Sequence, residues 1–195
     1  MKYSFAMRFI LLIAASGLLL LTSCKDDVIV KPSAKLRLEY PIPNYELTSN
    51  DCPYNFAKND IAELQFKKNC GVNIKYPEMD ATLYLTYQEI QNNNLNKLLS
   101  DAQKLAYDHT IKADAIPEQP YVNPEDRVFG MFYPIDGNAA TQAHFYVTDS
   151  LSHFITGSLY FDTKPNFDSI FPAVVYLRQD IRTIMESLTW ESETE

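Results

Sequence analysis

Any imidazole chemistry in this chain must use His109, His144 or His153, the only three histidines. Asp149, Ser150 and His153 carry the side chains of a nucleophilic triad. They crowd into one stretch, however, without the strained G-x-S-x-G elbow or an evident oxyanion donor. Asp and Ser at such a bend are explained by Asx-turn and ST-turn hydrogen bonds alone. A hairpin here would put residue 153 opposite 150 and leave His144 about 20 Å away at ~3.3 Å per residue, too far to share a metal with His153. His109 closes an apolar helical stripe, where a packed histidine facing a helix C-terminus is the ordinary case. H-E-x-x-H, C-x-x-C and P-loop spacings are absent, and 5 Gly leave little for a phosphate cradle. Paired carboxylates stay open, because 25 acidic residues allow many pairs. The expectation is a protein without catalytic residue, metal or cofactor.

The three cysteines carry more information. Lys2 and Arg8 precede an uncharged run from Phe9 to Leu21, too short for the ~20 residues of a membrane span and right for a secretory signal. The run ends in Leu21-Thr22-Ser23-Cys24, which resembles a bacterial lipobox. Residues 1–23 are therefore expected to be removed as a lipoprotein signal peptide, with Cys24 lipidated, 24–35 a tether and 36–195 a single domain. Each buried acyl CH₂ contributes ~0.8 kcal/mol, so a multiply acylated Cys24 tethers the chain to a membrane without spanning it. Lys25-Asp26-Asp27 lacks an acid directly after the cysteine, so the outer membrane is expected, on its periplasmic face or at the surface. In that oxidising compartment the two cysteines left over, Cys52 and Cys70, should pair, closing a loop worth ~3 kcal/mol of unfolded-state entropy.

Composition sets the class. A 195-residue chain, 46% hydrophobic and 22% charged, is an ordinary globular protein with one main core. A net charge of −8 argues against nucleic acid, which binds proteins mainly through phosphate neutralisation. Alternation predicts strands over Leu36–Tyr40, Val72–Tyr76, Thr82–Tyr87, Val128–Tyr133, Ala143–Asp149 and Phe154–Phe161. Helical spacing predicts one helix from Leu95 towards His109, capped by Asn93 or Asn94. A second starts between Asp168 and Pro172, with Val174, Leu177, Ile181, Ile184, Met185 and Leu188 on its stripe. Connections as short as Asp136-Gly137 and Ser150–His153 require antiparallel neighbours, giving an α+β fold: an antiparallel meander with helices packed against it. That order is similar, by fold analogy only, to the PsbP/Mog1 sandwich.

The 13 Tyr, 11 Phe and 1 Trp exceed what such a core must hold, and surplus Tyr suits a recognition surface as well as it suits strands. Asp149-Ser150-Leu151 and Asp168-Ser169-Ile170 resemble O-glycosylation sequons of exported Bacteroidota proteins, with Ser150 and Ser169 as acceptors. Longer phrases resemble one family. Asp51-Cys52-Pro53-Tyr54 with Lys68-Asn69-Cys70, Asn94 to Leu99, His109 to Ala115, Phe145 to Ser150 and Gly157 to Phe161 are similar to the gliding motility lipoprotein GldD family of the Bacteroidota. The resemblance implies an envelope component required for gliding and type IX secretion, with other gliding and secretion proteins as partners and no known reaction. His109, Lys112 and Asp114, at the helix exit, are the expected contact surface. The alternatives are an envelope lipoprotein that binds a small ligand or glycan, or an enzyme acting on envelope glycans.

Overall fold

The computed structural model describes residues 40–163 and 166–191. The expected signal peptide, the lipidated Cys24, the tether and the strand over 36–39 lie outside the described residues; Tyr40 belongs to no strand. In chain order the strands are β1 (Tyr45–Leu47), β2 (Tyr54–Asn55), β3 (Ala57–Asn59), β4 (Glu63–Phe66), β5 (Val72–Tyr76) and β6 (Ala81–Glu89). Helix α1 (Leu95–Tyr107) follows, then β7 (Ala113–Ala115), β8 (Gln119–Asn123), β9 (Val128–Pro134), β10 (Asp136–Gly137), β11 (Thr141–Thr148) and β12 (His153–Phe161). Helix α2 (Phe167–Ser187) and β13 (Thr189–Trp190) end the fold.

A seven-stranded antiparallel sheet, ordered β4-β5-β6-β12-β11-β9-β8, is the frame. It joins two meanders along β6 and β12, whose full-length pairing runs from His153 opposite Glu89 to Phe161 opposite Ala81. The fold is α+β as expected. Alternation decides what each face meets. Phe145, Gly157, Leu85 and Val72 share one row, and their face is closed by Leu177, Ile181, Ile184 and Met185 of α2. Tyr146 and Phe154 point to the other face, where Leu98 and Ala102 of α1 pack with them. The two helices therefore lie on opposite faces, and α1 covers only part of its own.

Gly157 is required by the first packing: a Cβ there would fall 2.1 Å from Phe145 Cε1. Arg178 ties α2 to the sheet, pairing with Asp136 at 2.8 Å while donating to the carbonyls of Ile135 and Gln142. Helix α2 starts at Phe167, just ahead of the expected window, and takes Pro172 inside it; Leu188 caps it, still buried. Asp136-Gly137 is more than a connection, because it pairs with β7. The β11–β12 register puts Phe154 opposite Thr148, and the His153 carbonyl accepts the Asp149 N–H, so His153 opens β12 opposite Asp149 and does not face Ser150 as expected.

Candidate functional site

The β11–β12 turn gathers Asp149, Ser150 and His153, and its hydrogen bonds show what they do there. Asp149 is buried, and its Oδ1 accepts the N–H groups of Leu151 at 2.9 Å, Ser152 at 2.9 Å and His153 at 2.8 Å. Burial opposes its ionisation, but these three donors outweigh burial and hold the carboxyl below its ordinary range. Thr148 Oγ1 donates to the His153 carbonyl and accepts the Ser150 N–H. Ser150 sits exposed at φ 66°, the left-handed position of the turn. His153 Nδ1 is engaged by the Tyr87 hydroxyl at 2.8 Å. Asp149 thus caps a turn instead of orienting an imidazole, and among the described residues no hydrogen bond joins the Ser150 hydroxyl to His153.

His153 instead belongs to a ring array that residue order gave no sign of. Its ring stacks on Trp190 at 5.2 Å and 15°. Tyr87 stacks on the fully buried Tyr54 at 5.8 Å, and Tyr54 donates its hydroxyl to the Cys70 carbonyl at 2.6 Å. Cys70 is bonded to Cys52, the disulfide the sequence leads one to expect, with Cα atoms 5.4 Å apart. Five stretches of chain, at Cys52–Tyr54, Cys70, Tyr87, His153 and Trp190, therefore meet at one end of the sheet, beside an open cleft of about 460 Å³ lined by Glu125, Arg127, Leu151, His153 and Trp190. Tyr54 already stood in a phrase that suggested the family; its stacking partners required the fold.

His144 and His153 fall on opposite faces, since His144 pairs with Ser158 and His153 with Glu89 five residues earlier on β12. Among the described residues no group of three His, Cys, Asp or Glu side chains is placed to hold a metal. His144 is buried under α1, with Nδ1 hydrogen-bonded to Ser158 Oγ at 2.8 Å. Burial, helped by neighbouring His109, pushes its pKa down to about 4, so it is neutral at physiological pH.

The helix exit is different in character. His109 is half-buried, and its carbonyl accepts the N–H groups of Lys112 and Ala113, turning the chain into β7. Burial lowers the His109 pKa, against the pull of Asp108. Lys112 and Asp114 are exposed. Gly137, at φ 102°, lets β10 approach here: a Cβ would sit 2.7 Å from the Asp114 nitrogen. Around them the surface is apolar where it need not be, with Ile111 88%, Leu105 50% and Tyr107 39% exposed. The sequence signalled the charged residues of this surface but not its apolar ones, because Leu105 lies on the same stripe as core residues.

A family model described as gliding motility lipoprotein GldD matches residues 25–190. No curated protein matches the chain significantly.

Proposed function

We propose that this chain, which belongs to the gliding motility lipoprotein GldD family and is thus a lipid-anchored envelope protein, serves gliding and type IX secretion as a non-catalytic assembly subunit at the outer membrane. The observation that carries the contact role is the helix exit. Apolar side chains left in water within one short stretch, rimmed by Lys112 and Asp114, are the composition of an interface core with a polar rim. His109, Lys112 and Asp114 form the rim of that surface, and other gliding and secretion proteins are its partners. Confinement by the lipid on Cys24 raises the effective concentration of neighbours, so modest affinity suffices. The turn chemistry supports the non-catalytic reading: the Asp149 carboxylate holds the loop and the His153 imidazole is held by Tyr87 and Trp190.

Ser150, exposed at the turn, is the better-placed of the two proposed glycan acceptors, because the Ser169 hydroxyl donates to the Asn166 carbonyl at 2.9 Å. The test of function is gene deletion scored for colony spreading and secretion of type IX cargo. Complementation follows with wild type and with a His109→Ala, Lys112→Ala, Asp114→Ala variant. Loss of both phenotypes on deletion, with failed rescue by the stably expressed variant, is expected. Normal spreading and secretion in the deletion strain would remove the reading, whereas full rescue by the variant would remove only the surface.

A further inference from the structure

Helix α2 carries more apolar residues than its core stripe requires. Val174, Leu177 and Ile181 face the sheet and are buried, whereas Phe171 and Val175, one turn apart on the outward side, are 40% and 51% exposed. Phe167 meets Phe171 edge-on at 5.3 Å. Next to Val175, Tyr176 packs against the Tyr40 ring at 5.2 Å, and Ile42, two residues on, is 92% exposed. Asp168 is the only charged residue between Phe167 and Leu177, and the stretch from Tyr40 to Tyr45 has none. Tyr40, the first described residue, therefore enters the domain at an apolar surface that is left exposed among the described residues.

We propose that this surface docks on the bilayer in which the protein is anchored, against zwitterionic phospholipid with ammonium headgroups; the proposal rests on the reading of Cys24 as the lipidated residue. The reach of the chain favours lipid over a protein partner. Only residues 25–39 separate Cys24 from Tyr40, at most about 50 Å when fully extended at ~3.3 Å per residue, so the bilayer is a constant neighbour of this surface. That confinement raises the effective concentration of membrane at Tyr40, and a patch too small to hold lipid unaided suffices. The side chains match the depth profile of an interface. Tyr40 and Tyr176 combine an apolar ring with a hydroxyl and suit the headgroup level, while Ile42, Phe171 and Val175 suit the acyl boundary. Charge selects the headgroup. Asp60, whose N–H donates to the Asn44 carbonyl at 2.9 Å, and Asp168 in the first turn of α2 border the surface, and their carboxylates repel anionic lipid and attract an ammonium group. Leu151, 62% exposed in the β11–β12 turn, is the natural control: the whole of β12 separates that turn from the start of α2.

The experiment reconstitutes the full mature lipoprotein into vesicles of phosphatidylethanolamine and phosphatidylcholine that carry a nitroxide quencher at the acyl boundary. A fluorophore is attached through Ile42→Cys or, as the control, Leu151→Cys, both exposed positions whose replacement removes no core contact. The label at 42 should be quenched and the label at 151 should not. Adding Phe171→Asp and Val175→Asp should abolish quenching at 42 while the protein still floats with the vesicles, and phosphatidylglycerol vesicles should quench it less. Flotation with no quenching at 42, or with equal quenching at 42 and 151, would overturn the docking while leaving the anchor in place. If the unquenched label at 42 is also shielded from aqueous iodide, the surface belongs to a second copy of the chain, which likewise overturns it. Equal quenching in phosphatidylglycerol would overturn the choice of headgroup. Lipoprotein that fails to float would remove the Cys24 reading itself, and the docking with it.

Discussion

Replacing Asp149 with Ala should cost about 2–4 kcal/mol of folding stability. Three N–H groups lose their acceptor. Leu151 is exposed and Ser152 half-buried, so their N–H groups turn to water at a net loss of roughly 0.5–1.5 kcal/mol each. His153 is buried, and its orphaned N–H costs about 1–3 kcal/mol, the dominant part of a sum that is not additive. Asp149→Asn keeps an acceptor without its charge and should lose about half as much. The carboxyl is held below its ordinary range, so its stabilisation is complete above the unfolded carboxylate pKa and disappears as pH falls through the folded one. Urea unfolding followed by fluorescence at neutral and acidic pH measures both effects. A loss under ~0.5 kcal/mol at neutral pH, or a wild-type-to-Asn difference that does not shrink in acid, would refute the turn-cap assignment.

Asp180 should behave in the opposite sense. It is buried, with no cation paired to it among the described residues, bound by Tyr45 and Asn59, and desolvation raises its pKa, so its ionised form weighs against folding at neutral pH. The stability of Asp180→Asn relative to wild type should therefore fall as the medium is acidified, in the same urea assay. Buried neutral His144 makes the native state lose stability between about pH 6.5 and 4; His144→Gln should flatten that segment of the stability profile. Cys52→Ser with Cys70→Ser should lower stability by about 3 kcal/mol, read from the urea midpoint, and reductant should leave that variant unchanged. Gly157→Ala should destabilise by at least ~2 kcal/mol in the same measurement, because the methyl overlaps Phe145 and Leu85.

What the sequence made legible follows the strength of its periodicity. Val72–Tyr76, Thr82–Tyr87 and Phe154–Phe161 alternate over long runs because one face is buried, and the structure pairs them side by side. Leu95–Tyr107 likewise kept its helical period. The two-residue strands β2, β10 and β13 are too short to alternate and exist because distant partners present edges to them. The disulfide was reached by elimination among three cysteines; the stack from Trp190 through His153 and Tyr87 to Tyr54 joins residues up to 136 positions apart and has no local signature. Similarly, the exposure of Ile111 and Leu105 depends on where α1 stops covering the sheet, which no local pattern encodes.

Photo-crosslinking from position 111 tests the assembly role most directly. A crosslinking amino acid at Ile111, 88% exposed at the centre of the proposed contact, would be activated in gliding cells and the lipoprotein purified from membranes. The account predicts a discrete adduct with another gliding or secretion protein, absent when the same group is placed at exposed Glu125, far along the chain beside the cleft. Recovery of the uncrosslinked lipoprotein alone, from cells that spread and secrete normally, would contradict it.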